Sequence, residues 1–130
     1  MKKLPALLAT TLLTACAALP TQDELATADY GRDMSAEECA TVSESLIANT
    51  LKDPGSAQFR RGQCFKGAFN SVPLMGMPKA YGWIQQGEVN AKNSYGGYVG
   101  FRPYQVLMKD GQPVRYCINS DRGVCMPVGL

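Results

Sequence analysis

The sequence predicts an α+β domain in which one amphipathic helix packs on a small antiparallel sheet of about four strands, with two disulfides. Three features indicate this fold: an apolar stripe of helical period early in the chain, four β-rich runs after it, and an even number of cysteines following residue 16. We assign residues 34–130 to this domain, because a chain of 130 residues fits one domain.

Residues 36–52 are predicted to form the helix. Ser35 and Glu38 fit a capping box, and Pro54 ends the segment because the residue before a proline avoids the helical region. The predicted buried face has a period of 3.6 and consists of Cys39, Val42, Leu46 and Thr50, widened by Ile47 and Leu51.

The later half of the chain predicts strands joined by turns. Asp110-Gly111, between alternating apolar runs, is a strong hairpin signal. The predicted strands are residues 57–66, 81–91, 98–108 and 113–119.

The folded domain contains four cysteines, which allow three disulfide pairings. Cys117 and Cys125 flank a turn-forming segment and are expected to close a local loop, which leaves Cys39 on the helix to pair with Cys64 on the first strand. The chain has no His and no CxxC pair, so we predict neither a metal site nor a cofactor.

The first 15 residues have the composition of a targeting segment. A basic start precedes about ten mostly apolar residues, half of the ~20 that a membrane-spanning helix needs. Leu13-Thr14-Ala15-Cys16 resembles the lipobox of bacterial lipoproteins. The resemblance implies that residues 1–15 are a signal peptide and that Cys16 carries the lipid that attaches the protein to a membrane.

The residue after Cys16 is Ala17 rather than Asp. By resemblance to bacterial lipoproteins, in which an Asp at this position causes retention at the inner membrane, its absence implies that the protein is sorted to the outer membrane. The domain would then lie on the periplasmic face. Residues 16–33 show no periodicity and are predicted to be a lipidated tether that spans roughly 23 Å as a flexible coil.

Charge is distributed unevenly along the chain. Residues 17–53 contain eight acidic and two basic side chains, whereas residues 54–130 contain nine basic and three acidic ones. Either an acidic helix docks beside a basic sheet, or a basic face binds an anionic envelope ligand such as lipid A phosphate or a glycan strand. The small net charge of the whole chain gives no indication of nucleic-acid binding.

Residues 90–100 concentrate amide, ammonium and aromatic groups among glycines. They could contact a peptide or glycan ligand, or form a tight connection in which the amides bond the turn backbone. The candidate contact residues are Asn90, Lys92, Asn93, Tyr95 and Tyr98.

Residues 51–59 and 89–98 together resemble a pattern of small exported bacterial proteins of unknown function. The matching blocks are Leu51-Lys52-Asp53-Pro54-Gly55-Ser56-Ala57-Gln58-Phe59 and Val89-Asn90-Ala91-Lys92-Asn93-Ser94-Tyr95-Gly96-Gly97-Tyr98. The resemblance brings no catalytic residues and implies that the two blocks are linked structurally.

A second segment, Val72 to Pro78, combines two prolines with exposable apolar side chains. It is either a partner-docking loop or a loop that folds back over the end of the sheet.

The lack of His excludes Ser-His-Asp and Cys-His catalysis, and we predict that the protein is not an enzyme. Ser94 with Lys92 is a candidate Ser-Lys pair. We expect a non-catalytic module that binds an envelope protein or glycan, with an inhibitory, immunity or structural role. The alternative is an accessory subunit of a secretion or envelope-assembly machine.

Overall fold

The computed structural model describes residues 19–118 and 125–129, and Cys16 and the predicted signal peptide lie outside them. The predicted α+β class is confirmed, but the described residues form five strands rather than four, in the order β1-β2-β3-β4-β5. The elements are α1 Gln22–Thr27, α2 Ala36–Thr50, β1 Gln58–Phe69, β2 Ala80–Asn90, β3 Arg102–Lys109, β4 Gln112–Ile118 and β5 Met126–Pro127, with 3₁₀ turns at Pro54–Ser56 and Pro73–Met75. Neither helix in this part of the chain is long and apolar enough to cross a membrane.

Helix α2 begins where the sequence predicted, since the Ser35 hydroxyl accepts a hydrogen bond from the Glu38 amide at 3.1 Å. It ends two residues early, at Thr50. Thr50 of the predicted face is exposed, and Ser43, which was not predicted, is fully buried. Cys39 and Ile47 are fully buried as predicted, and Val42 and Leu46 are partly buried. These side chains pack on one face of the sheet against Val89, Tyr104, Val106 and Met108.

The sheet is a meander of neighbouring antiparallel strands. The predicted β3–β4 hairpin is present, and Asp110 and Gly111 both have the positive φ, 53° and 79°, that a tight hairpin turn requires. The additional strand is β5, whose two residues pair with Arg115 and Tyr116 of β4. A strand of two residues is too short for an alternating pattern, which is why the sequence did not predict it.

The structure contains the two expected disulfides. Cys39–Cys64 joins α2 to β1, and Cys117–Cys125 joins the end of β4 to the segment before β5. Each disulfide removes freedom from the unfolded chain and stabilises a small domain by ~2–4 kcal/mol.

The predicted tether is not a free coil in its described part. Thr21 and Glu24 form a complete capping box at the start of α1, and Glu24 also forms an ion pair with Lys79 at 2.8 Å. The Tyr30 ring packs edge-on against Tyr81, with the ring centroids 6.4 Å apart. Helix α1 therefore lies beside the start of β2.

The residues that follow α1 cross the same end of the sheet. The Arg32 amide donates to Asp110 Oδ1 at 2.8 Å, and the Trp83 indole donates to the Arg32 carbonyl oxygen at 3.1 Å. Met34 then enters the core beneath α2. We call residues 21–34 the N-terminal strap, because side-chain and backbone contacts fasten it to the sheet.

Most acidic residues of the first half pair with basic residues of the second half, in agreement with the docking interpretation of the uneven charge. Arg61 of β1 contacts both Glu37 and Glu44 of α2, and these carboxylates raise the pKa of its guanidinium. The other pairs that cross between the halves are Glu24–Lys79, Asp29–Lys109 and Asp33–Lys66.

Docking of α1 should depend on pH. The hydrogen bond from Lys79 holds the pKa of Glu24 below its ordinary value of 4.5. A carboxylate with a lowered pKa in the folded state stabilises that state above pH 4.5, and the contribution is lost as pH falls through the lowered value. We expect Glu24→Gln to lower the melting temperature near pH 6, and this difference from wild type to shrink as the pH is lowered below 4.5.

Asp23→Asn is the matched control, because it removes the same charge from the same helical turn but breaks none of the described ion pairs. Thermal melts of the three proteins across this pH range provide the measurement. If Glu24→Gln and Asp23→Asn behave alike at every pH, the ion pair with Lys79 does not fasten α1.

Candidate binding site

The segment 91–101 connects β2 to β3 at the end of the sheet opposite the N-terminal strap. Strand β2 has 11 residues, so at ~3.4 Å per residue it separates the two ends by about 34 Å. Helix α2 runs along the sheet and also ends here, which brings Leu51 and Lys52 close to the β2–β3 connection.

Two of the predicted contact residues hold the connection together. Asn93 Oδ1 accepts hydrogen bonds from the amides of Tyr95 and Gly97, at 3.0 and 3.2 Å, and Asn90 Oδ1 accepts one from Gly100 at 3.0 Å. The side-chain amide groups of Asn90 and Asn93 therefore bond the turn backbone, which is the second of the two interpretations that the sequence left open.

The other predicted residues are placed differently. The Tyr98 hydroxyl donates to the Ser56 carbonyl oxygen at 3.1 Å, and Lys92 Nζ lies 5.6 Å from the centre of the Tyr98 ring. The Lys92 amide donates to Ser56 Oγ at 2.9 Å. These contacts join the connection to the turn after α2, so the two resembling blocks of sequence do meet in space.

Tyr95 is the most exposed of the large apolar side chains in the connection, at 97% of its maximum. Its amide is fixed by Asn93, but its ring has no contact that would hold it against the domain. An ordered backbone that projects an aromatic ring into solvent suits contact with a protein or a sugar.

A pocket of about 310 Å³ lies beside Tyr98, between the end of α2 and the β2–β3 connection. Most of its accessible wall is apolar, although three of the side chains that line it are cationic. Its lining residues are Leu51, Lys52, Ala91, Lys92, Asn93, Val99 and Arg102.

The sequence identified only Lys92 and Asn93 of this lining. Leu51 and Lys52 belong to a block that the resemblance had already paired with residues 89–98, and that pairing was the available signal for them. Nothing in the local sequence marks Arg102, which begins an ordinary strand.

Ser94 Oγ accepts a hydrogen bond from Lys52 Nζ at 3.0 Å, so its lysine partner is Lys52 and not Lys92. A lysine that activates a serine is desolvated, whereas Lys52 is exposed. Within the described ranges, no three Cys, Asp or Glu side chains lie close enough to share a metal ion.

The Val72–Pro78 segment lies at the strap end of the sheet. Arg115, buried beneath it, donates to the carbonyl oxygens of Asn70 and Pro78 at 3.2 and 2.6 Å, and Met77 is buried as well. The loop thus folds over the sheet, while its tip leaves Leu74 97% exposed.

The chain matches no family model, no curated protein and no solved structure.

Asn93 provides a test of how the connection is ordered. Asn93→Ala removes the oxygen that both amides share, so we expect the Tyr95 and Gly97 amides to exchange with solvent at least tenfold faster. Asn93→Asp keeps an acceptor oxygen at the same place and should retain the slow exchange. Hydrogen exchange followed by NMR measures both, and equal exchange in Asn93→Ala and wild type would contradict the assignment.

Proposed function

We propose that the protein is an outer-membrane lipoprotein whose folded domain is a non-catalytic binding module of the cell envelope. The lipobox at Leu13-Thr14-Ala15-Cys16 supports the anchor, and two disulfides suit an exported domain, since disulfides persist in oxidising compartments.

The arrangement of the β2–β3 connection is the observation that carries the proposal. Its backbone is tied to itself through Asn90 and Asn93 and to the turn after α2 through Tyr98, while Tyr95 projects freely. A binding surface that is ordered before its partner arrives loses less conformational entropy on association. The partner that this surface fits best is an envelope protein or a glycan.

The strap supports an orientation for the module. If Cys16 carries the lipid, five residue steps separate it from Thr21, which a fully extended chain spans in about 17 Å. Helix α1 lies at the strap end of the sheet, next to Lys79, and the β2–β3 connection lies at the other end. The domain would then stand close to the bilayer with the connection directed away from it.

Replacing the lipid-bearing thiol tests the anchor. We expect Cys16→Ser to abolish incorporation of a fatty-acid probe during growth, because a hydroxyl at this position is not a substrate for the lipobox modification. The unprocessed precursor should accumulate. Equal labelling of the variant and the wild type would overturn the lipoprotein assignment.

Replacing the exposed aromatic ring tests the binding surface. We expect Tyr95→Ala to reduce crosslinking to an envelope partner at least fivefold without lowering the melting temperature, because exposed substitutions change stability by no more than ~0.5 kcal/mol. Leu74→Ala is the matched control, since Leu74 is equally exposed at the opposite end of the sheet.

Crosslinked complexes recovered from intact envelopes, and compared among the three proteins, provide the measurement. Loss of the complex in Leu74→Ala but not in Tyr95→Ala would place the docking surface on the Val72–Pro78 loop and would overturn the assignment to the connection.

A further inference from the structure

Ion pairs account for most basic side chains in the described part of the chain. Arg115 has no ion pair among the described residues, but its guanidinium donates hydrogen bonds to two backbone carbonyl oxygens. The basic residues that contact a carboxylate are Arg32, Arg60, Arg61, Lys66, Lys79 and Lys109.

The three basic residues that remain in residues 19–118 and 125–129 are Lys52, Lys92 and Arg102, and all three line the pocket beside Tyr98. No acidic side chain belongs to that lining. The domain thus places its uncompensated cations together, where they repel one another, rather than spreading them over the surface.

Arg102 adds a second, independent feature. Its Nε is buried and has no hydrogen-bond partner among the described residues. The guanidinium of Arg102 is therefore incompletely hydrogen-bonded within the described part of the chain, and the partners that guanidinium groups bind most strongly are carboxylate and phosphate oxygens.

The rest of the lining is apolar. Leu51, Ala91 and Val99 form the walls, and the volume of about 310 Å³ is at the lower end of the ~300–1,000 Å³ that is usual for small-molecule sites. An inorganic anion alone would leave these walls in contact with water, whereas an anion that carries an apolar group would cover them.

We propose that this pocket binds a small organic anion, with its phosphate or carboxylate group held by Lys52, Lys92 and Arg102 and an apolar body against Leu51, Ala91 and Val99. The inference rests on the proposed function, because it specifies the ligand class of the same end of the domain. Tyr95 is not part of the pocket lining, so the surface for a large partner and the pocket can be tested separately.

Four soluble probes separate the contribution of the anionic group to binding from that of the apolar group. Phenyl phosphate and benzoate carry both an anionic and an apolar group, inorganic phosphate lacks the apolar group, and benzyl alcohol lacks the charge. We expect the full chain with both disulfides intact to bind the first two saturably, at least tenfold more tightly than the other two. The NMR signals of Lys92, Val99 and Arg102 should shift during the titration, and the affinities should fall as salt is added.

Phosphate and carboxylate heads are distinguished by comparing the two aromatic anions. Tighter binding of phenyl phosphate would assign a phosphate ester, and tighter binding of benzoate would assign a carboxylic acid. Either result supports the proposal, since the cations and walls are the same for both.

Variants identify the groups that hold the anion. We expect Arg102→Gln, and separately the double variant Lys52→Gln with Lys92→Gln, to weaken phenyl phosphate binding at least tenfold. Lys66→Gln removes one cation outside the pocket and should bind the probe as the wild type does. The double variant keeps the test valid if Arg102→Gln fails to fold.

Three results would overturn the proposal. The first is that neither aromatic anion binds saturably, and the second is that benzyl alcohol or inorganic phosphate binds as tightly as phenyl phosphate. The third is that the double variant binds phenyl phosphate as tightly as the wild type. These results are independent of the tests above. Loss of fatty-acid labelling or of the crosslinked complex concerns Cys16 and Tyr95, while probe binding concerns the cations of the pocket.

Discussion

The structure depends on one helix covering one face of the sheet. Helix α2 is the only described element that packs across β1 to β4 on that side, and Ile47 is wholly buried in the contact. The disulfide from Cys39 to Cys64 fixes the first half of α2 on the edge strand β1. Because the helix position is fixed, its start meets the N-terminal strap and its end supplies Leu51 and Lys52 to the pocket.

Features determined by a few neighbouring residues could be predicted from the sequence. Ser35 caps α2 through an amide three residues away, and Asp110-Gly111 adopts its turn because of the backbone freedom of those two residues. The pairing of Cys117 with Cys125 was similarly local, and it left a single partner for Cys39. In the cap, the turn and the Cys117–Cys125 pair, the interacting residues are so close in sequence that the rest of the fold has little influence on whether they meet.

Features formed by distant residues could not be predicted in the same way. Ser43 lies at the centre of the buried face of α2 because of where the sheet lies, whereas the apolar stripe in the sequence predicted Val42 and Leu46, which are only partly buried. Arg102 gains its role only because β3 begins beside the end of α2. Helix α1 is intermediate: Thr21 and Glu24 have the spacing of a capping box, but six residues are too few for a periodic pattern to confirm a helix.

Electrostatics differ between the two ends of the sheet, and this difference connects the fold to the proposed function. At the strap end, Lys79 and Lys109 meet Glu24 and Asp29, so charge there fastens the chain to the sheet. At the other end, the cations of the pocket contact no carboxylate of the described chain. Lys52 bonds the Ser94 hydroxyl instead, and Lys92 lies near the Tyr98 ring. Their repulsion opposes folding, and the disulfides and the core under α2 must outweigh it. An anion that enters the pocket removes this repulsion, so its binding should stabilise the folded domain as well as occupy the site.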